Sequence, residues 1–175
     1  FHGRVAELAN VARAAAILTE FGTKSMPDVL KAMGQAAQCS RVFFAQVFED
    51  ERGSYWSNSS EWIDSSIAYL FDKTRTQRMQ ATNFSTWVKD LREKGWTTTL
   101  VGDNTPETEF LENQRIRSTL VISIPGKHSL PSLLVFDQVG SNRTWQIEEV
   151  NVLRVGADSI ANTFVREDLL SQLQV

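Results

Sequence analysis

Two apolar runs near the middle of the chain, residues 116–125 and 132–137, are rich in β-branched and aliphatic side chains and are separated by Gly126, Lys127 and His128. Such runs divided by turn residues predict paired antiparallel strands. Neither run alternates cleanly between apolar and polar positions, so both faces of the pair should be covered. The flanking segments supply the cover. Residues 4–21 are helix formers, with Leu8, Val11, Ala15, Leu18 and Phe21 at helical spacing, and the small residues from Ala12 to Ala16 allow close approach of another helix. Gly22 is placed to stop that helix. A second helix should follow, capped by Ser25, with Pro27 where no amide bond is required, Asp28 at the positive end of the dipole, and Val29, Leu30, Met33 and Ala37 buried.

Residues 41–49 have strand composition, end in the charged turn at 49–53, and should pair with a returning strand over 55–63. The stretch 65–83 is not assigned by its pattern: Ile67, Leu70 and Phe71 suggest a helical turn, while 73–80 is polar. Ser85 should cap a short helix bearing Trp87, Val88 and Leu91 and ending at Gly95. A strand over 97–101 and a short helix over 106–113, burying Phe110 and Leu111, complete the middle of the chain. Residues 145–170 form the longest helical segment, with Val150, Leu153, Ala157, Ile160 and Phe164 spaced by three and four. The whole implies one α+β domain over 1–175, a central antiparallel sheet with the terminal helices (1–22 and 145–175) on one face and the short helices on the other. Beginning at Phe1 and with helix expected at both ends, the chain looks like a domain cut from something longer, its terminal helices continuing into linkers.

Composition narrows the function. With 175 residues, one domain has room for a substantial core. A net charge of −3 gives no basic footprint for nucleic acid. No apolar run approaches the roughly 20 residues that span a bilayer, and no signal segment opens the chain. Cys39 is the only cysteine, which excludes an internal disulfide or a thiolate zinc cluster and points to a reducing, cytoplasmic setting. On that ground the glycosylation-like triplets at Asn58, Asn83 and Asn142 read as chance matches in polar loops.

Candidate chemistry is sparse. His2 and His128 are too few for a histidine metal centre, and Cys39 has no activating neighbour in sequence. Glu107, Glu109, Glu148 and Glu149 fall in the first turns of expected helices, where acidic residues are favoured by the dipole. No triad, metal set or phosphate loop can be assembled, so the expectation is a domain that is not itself an enzyme. What stands out is aromatic: Trp56, Trp62, Phe84, Trp87, Trp96 and Phe110 lie between the two hairpins.

The order helix, helix, hairpin, short helices, hairpin, long helix resembles a GAF domain, the small-molecule-sensing module of signalling proteins. The motifs are similar to those of bacterial GAF domains attached to histidine kinases and cyclic-di-GMP enzymes: Asn58-Ser59-Ser60-Glu61-Trp62, the Trp87–Gly95 helix, Arg117-Ser118-Thr119-Leu120 leading to Pro125, Phe136-Asp137, and Arg143-Thr144-Trp145. Ser132 and Val135 stand where the family often has glycine, and Gln146 where Ser or Thr often caps the last helix. The resemblance implies a regulatory domain of a bacterial two-component or other signal-transduction protein, with a pocket between the sheet and the short helices from Ser85 to Asn113. Its candidate contacts are Trp87, Leu91, Phe110, Val121, Ser123 and Phe136, with Asp137 as polar anchor. No cysteine lies where relatives attach a bilin, so a cofactor would have to be a non-covalently held small molecule of unknown identity. The cysteines of methionine-sulfoxide-reducing relatives and the cyclic-nucleotide signature are also missing. The surplus apolar rows on the terminal helices suggest a homodimer, and a domain whose pocket is filled by its own side chains would act as a ligand-free dimerisation and relay element.

Overall fold

The computed structural model describes residues 2–174; Phe1 and Val175, included in the expected terminal helices, lie outside the described residues, as does the side chain of His2. Five α-helices and six strands follow in the order α1 (His2–Phe21), α2 (Met26–Ala37), β1 (Arg41–Asp50), β2 (Gly53–Ile63), β3 (Met79–Gln80), α3 (Ser85–Lys94), β4 (Trp96–Leu100), α4 (Thr108–Asn113), β5 (Ser118–Ile124), β6 (Ser132–Gln138) and α5 (Ile147–Leu173). The strands form one antiparallel sheet in the order β3-β2-β1-β6-β5-β4. The open stretch resolves into 3-10 turns at Ser65–Leu70, Lys73–Thr76 and Ala81–Asn83 around the two-residue strand β3.

Both faces of the sheet are covered, as the non-alternating runs require. On one, Val42, Phe44, Leu120, Ile122, Leu134 and Phe136 share a core with α2 and α5, against which α1 is packed. On the other, Phe43, Ala45, Val121, Leu133 and Val135 meet Met79, Phe84, Trp87 and Leu91. The expected arrangement of terminal helices on one face and short helices on the other is the one observed.

Helices α1 and α5 run parallel. Glu7 and Glu149 lie close enough at their beginnings to repel, Val11 lies beside Gly156 midway, and Glu167 near the end of α5 accepts from the Thr23 amide at 2.9 Å just past α1. Gly22 takes φ 76, ψ −169, a region open only to glycine, and the Glu167 carboxylate occupies the place of its missing Cβ. Trp145, expected inside the last helix, precedes it; its indole donates to Ser118 Oγ at 2.9 Å.

Three local expectations are corrected. The buried row of α1 is Glu7, Val11, Ala14 and Leu18, whereas Leu8 and Phe21 are 52% and 51% exposed. An alanine-rich helix is apolar nearly all round, so its periodicity does not choose between two rows. Ser25 precedes α2 without capping it, donating instead to the Gly22 carbonyl at 2.5 Å. Ser85 is already inside α3 and is no cap.

Glu7 occupies a core position on α1. Its carboxyl is pushed above the ordinary value of 4.5, first by burial and then by the charge of Glu149, against the opposing pull of Arg4 and Arg143. An acid whose value is raised on folding favours the protonated fold, so stability is highest below its unfolded value and is lost as pH rises towards the folded one. Glu7→Gln is therefore expected to raise Tm at pH 7 relative to the parent, and the difference should vanish when the melts are repeated below pH 4.5.

Candidate functional site

The compartment between the sheet and the short helices is built on aromatic rings. Trp87, on the inner face of α3, and Trp56, on β2, are completely buried. Phe84 lies between them, 6.1 Å from Trp56 edge-on and 4.8 Å from Trp87, and Phe110 of α4 closes on Phe84 and Trp87 at 5.5 and 5.7 Å in T-shaped contacts. These are preferred geometries for aromatic pairs. Both indoles are satisfied: Trp56 Nε1 donates to the Pro131 carbonyl and Trp87 Nε1 to Thr99 Oγ1, each at 2.8 Å. Leu91 and Val121 complete the wall. Of the residues expected at a pocket, Trp87, Leu91, Phe110 and Val121 are thus brought together, packed on one another.

The others are placed differently. Phe136 faces the terminal helices, 6.4 Å from the Trp145 ring, because position 136 has the parity of Leu134 and Leu120. Ser123 shares Val121's parity but sits at the margin beside Gly95, whose carbonyl accepts from the Ser123 amide at 3.0 Å. Asp137 is on the compartment side and completely buried, yet it is already engaged. Arg41 donates to its Oδ2 from Nε at 2.8 Å and pairs with it through Nη2 at 2.6 Å, and Thr119 Oγ1 donates to Oδ1 at 2.7 Å.

Register makes this a polar row. Arg41, Asp137, Thr119 and Thr99 are successive partners across β1, β6, β5 and β4. Above it Gln114, just past α4, accepts from Arg41 Nη2 at 3.1 Å. The Arg41 guanidinium lies over two rings, 4.7 Å from the Phe43 centroid and 4.1 Å from that of Phe71. Sequence reasoning missed Arg41, Gln114 and the threonines. The available signal was Arg41 itself, a cation opening an otherwise apolar strand, which demands a buried carboxylate partner.

Glu107 also departs from expectation. It is fully buried, and its Oε2 accepts the Thr86 and Trp87 amides of α3 at 2.8 and 3.1 Å. A cap delivered from the preceding turn of α4 fixes the two short helices to each other, an interaction worth about 0.5–2 kcal/mol. Cys39 is buried, and burial pushes its thiol up to about 12, so it stays protonated at neutral pH. Among the described residues no group of three or more His, Cys, Asp or Glu is placed to hold a metal, and no helix is long and apolar enough to cross a membrane. A groove of about 740 Å³ opens on the helix side, between Phe44, Ile124, the 125–128 loop and the last turns of α5.

The fold is that of a GAF domain. It superimposes on the phycocyanobilin-bound GAF domain of a cyanobacterial phytochrome with a TM-score of 0.72 and 16% identity, over 93% of this chain and 96% of that one. It matches a GAF domain from Pseudomonas syringae pv. tomato, assigned to a sensor histidine kinase, with a TM-score of 0.62 and 14% identity over 98% and 95%. In sequence it is 25% identical over 141 residues to the methanogenesis regulatory histidine kinase FilI of Methanothrix harundinacea; the match covers 79% of this chain but only 16% of that protein. No protein-family model matches the chain.

Proposed function

We propose that the chain is a sensory and regulatory domain of a signal-transduction protein, in which a small molecule bound on the short-helix side of the sheet shifts the terminal helices. The observation that carries this reading is the placement of two parallel helices, α1 and α5, on the reverse face of the strands that floor the aromatic compartment. Val121 and Val135 face that compartment, while their neighbours Leu120, Leu134 and Phe136 pack in the core shared with the helices. A ligand biases the helices only if it binds their two arrangements unequally, and a coupling of about 1–3 kcal/mol suffices for a useful switch. Trp87, Leu91, Phe110 and Val121 form the apolar wall in this reading, with Asp137 and Ser123 at its margins. The domain acts by binding; catalysis belongs to whatever output it serves, a kinase or cyclic-di-GMP enzyme by the resemblance.

A second reading, dimerisation and relay without a ligand, draws on a different observation: the rings of the compartment pack on one another. On α1 a second row, Val5, Leu8, Ala12 and Ala15, faces outward, and α5 exposes Val155, Val165, Leu169 and Leu170. A two-fold contact between these rows would bury them. Light scattering at micromolar concentration should give a dimer, and Leu8→Glu with Val165→Glu should give a folded monomer. Native mass spectrometry followed by a thermal-shift screen of nucleotides, metabolites and tetrapyrroles separates the readings. A retained or stabilising ligand supports the sensor, whereas a dimer that answers to no compound leaves the relay.

A further inference from the structure

The sheet ends in β4, and part of that strand's backbone has no partner. The Gly95 carbonyl accepts from the Ser123 amide at 3.0 Å and Val101 donates to the Arg117 carbonyl at 2.9 Å, so the odd positions of β4 turn their N–H and C=O groups towards β5. The even positions turn theirs outward, where no further strand follows. Leu100 is served locally: its amide donates to Asp103 Oδ2 at 2.9 Å, and its carbonyl accepts from the Asp103 amide at 3.0 Å. Trp96 and Thr98 are not, for no backbone group of either has a hydrogen-bond partner among the described residues. Thr98 is also exposed. The open window is therefore short, bounded by the Gly95 turn out of α3 at one end and by Asp103 at the other. An edge of this kind is a template for another strand, and native sheets usually cover it.

From this geometry we propose that β4 is a self-association edge, to which β4 of a second copy adds antiparallel about a two-fold axis at Thr97, with Trp96 of each copy opposite Thr98 of the other. Three features select a second copy over an unrelated strand. In this register the N–H and C=O of each Trp96 meet those of the opposing Thr98, so every open group is served and none is left over. A longer strand would run against the Gly95 turn and the Asp103 carboxylate, whereas β4 presents a window of the same length. Charge agrees as well: the antiparallel pairing sets the end of β4 that follows Lys94 against the end that carries Asp103. The Lys94 ammonium lies over the Trp96 ring at 4.2 Å and has no carboxylate within ion-pair distance among the described residues. On the side-chain level Trp96 and Thr98 share a face, and an aromatic ring opposite a β-branched residue is a favourable cross-strand pair. The contact uses none of the exposed residues of α1 and α5 and does not rest on the sensory reading. A chain with two separate two-fold contacts builds assemblies larger than a dimer.

The test is run on the parent chain and on the chain carrying Leu8→Glu with Val165→Glu, in which pairing through the helices is blocked. In both, sedimentation equilibrium should reveal an added association at millimolar concentration, since a contact of so few hydrogen bonds is weak. As it forms, the Trp96 and Thr98 amide signals in NMR spectra should move downfield, while those of Thr97 and Thr99, already bonded to β5, stay in place. Thr98→Pro removes an outward donor without touching the ladder to β5, in the one setting where a strand accepts proline, and is expected to lower the association constant at least tenfold. Thr98→Val keeps the amide and should leave the constant unchanged. No added association at millimolar concentration, unmoved Trp96 and Thr98 signals, or an equal constant in Thr98→Pro each overturns the edge contact. Because the second chain has no helix pairing, failure there counts against β4 alone and leaves the sensory and relay readings as they stand.

Discussion

Asp137→Ala is expected to lower the free energy of unfolding by about 3–5 kcal/mol, the usual cost of removing one partner of a fully buried ion pair. Neither Arg41 nor Asp137 has any side-chain exposure, so the arginine left behind can reach no solvent. Its Nε would join Nη1 as a buried donor without an acceptor, and Thr119 Oγ1 would lose its carboxylate partner. Urea denaturation should show a lowered midpoint with little change in slope. The pair as a whole should matter less than either half: Arg41→Met combined with Asp137→Leu is expected to recover most of the loss, because two apolar side chains of similar volume remove the orphaned charge. A loss below about 1 kcal/mol for Asp137→Ala, the scale of a surface pair, would mean that the site is open to water.

Trp87→Ala carries the second large effect, a loss of about 3–5 kcal/mol. The indole touches Phe84 and Phe110, and no surrounding backbone is free to collapse into its place, because Glu107 caps the α3 turn from which Trp87 projects. Trp87→Phe keeps most of the contact but loses the bond to Thr99, at about 1 kcal/mol. The cavity opened by alanine would be lined by Phe84, Leu91, Phe110 and Val121, and a dry apolar cavity binds a matching apolar molecule. Millimolar indole should therefore raise Tm of Trp87→Ala and leave that of the parent unchanged. If the parent responds equally, the compartment already has room for a ligand and its rings are not the filling.

The order of elements was legible because local signals agree with the global fold. Pro27 and Asp28 open α2, Gly95 ends α3 in the left-handed conformation, and the expected seam of α5 is buried at Val150, Leu153, Ala157 and Ile160, although its fifth position, Phe164, is 37% exposed. What could not be read were choices settled by distant partners. The residue that caps α3 is Glu107, which no local window around Ser85 contains. Phe136 and Asp137 lie in a run apolar on both faces, so nothing local says which parity points to which layer; pairing with β1 decides it. The candidate site was half legible for the same reason. Aromatic composition located the compartment, but the ion pair joining residues 96 apart in sequence could be recognised only once register brought Arg41 opposite Asp137.

The parallel course of α1 and α5 has a mechanical consequence. At about 1.5 Å per residue the 20 residues of α1 span roughly 30 Å and the 27 of α5 roughly 40 Å. A segment joined ahead of α1 and one joined behind α5 therefore sit at opposite ends of the molecule, and the domain behaves as a strut rather than a hairpin. Torque or axial thrust delivered at one end leaves at the other without changing direction. The sheet holds α5 directly, whereas α1 packs on α2 and α5, so those two helices are placed to act as the clutch between the sheet and the first rod.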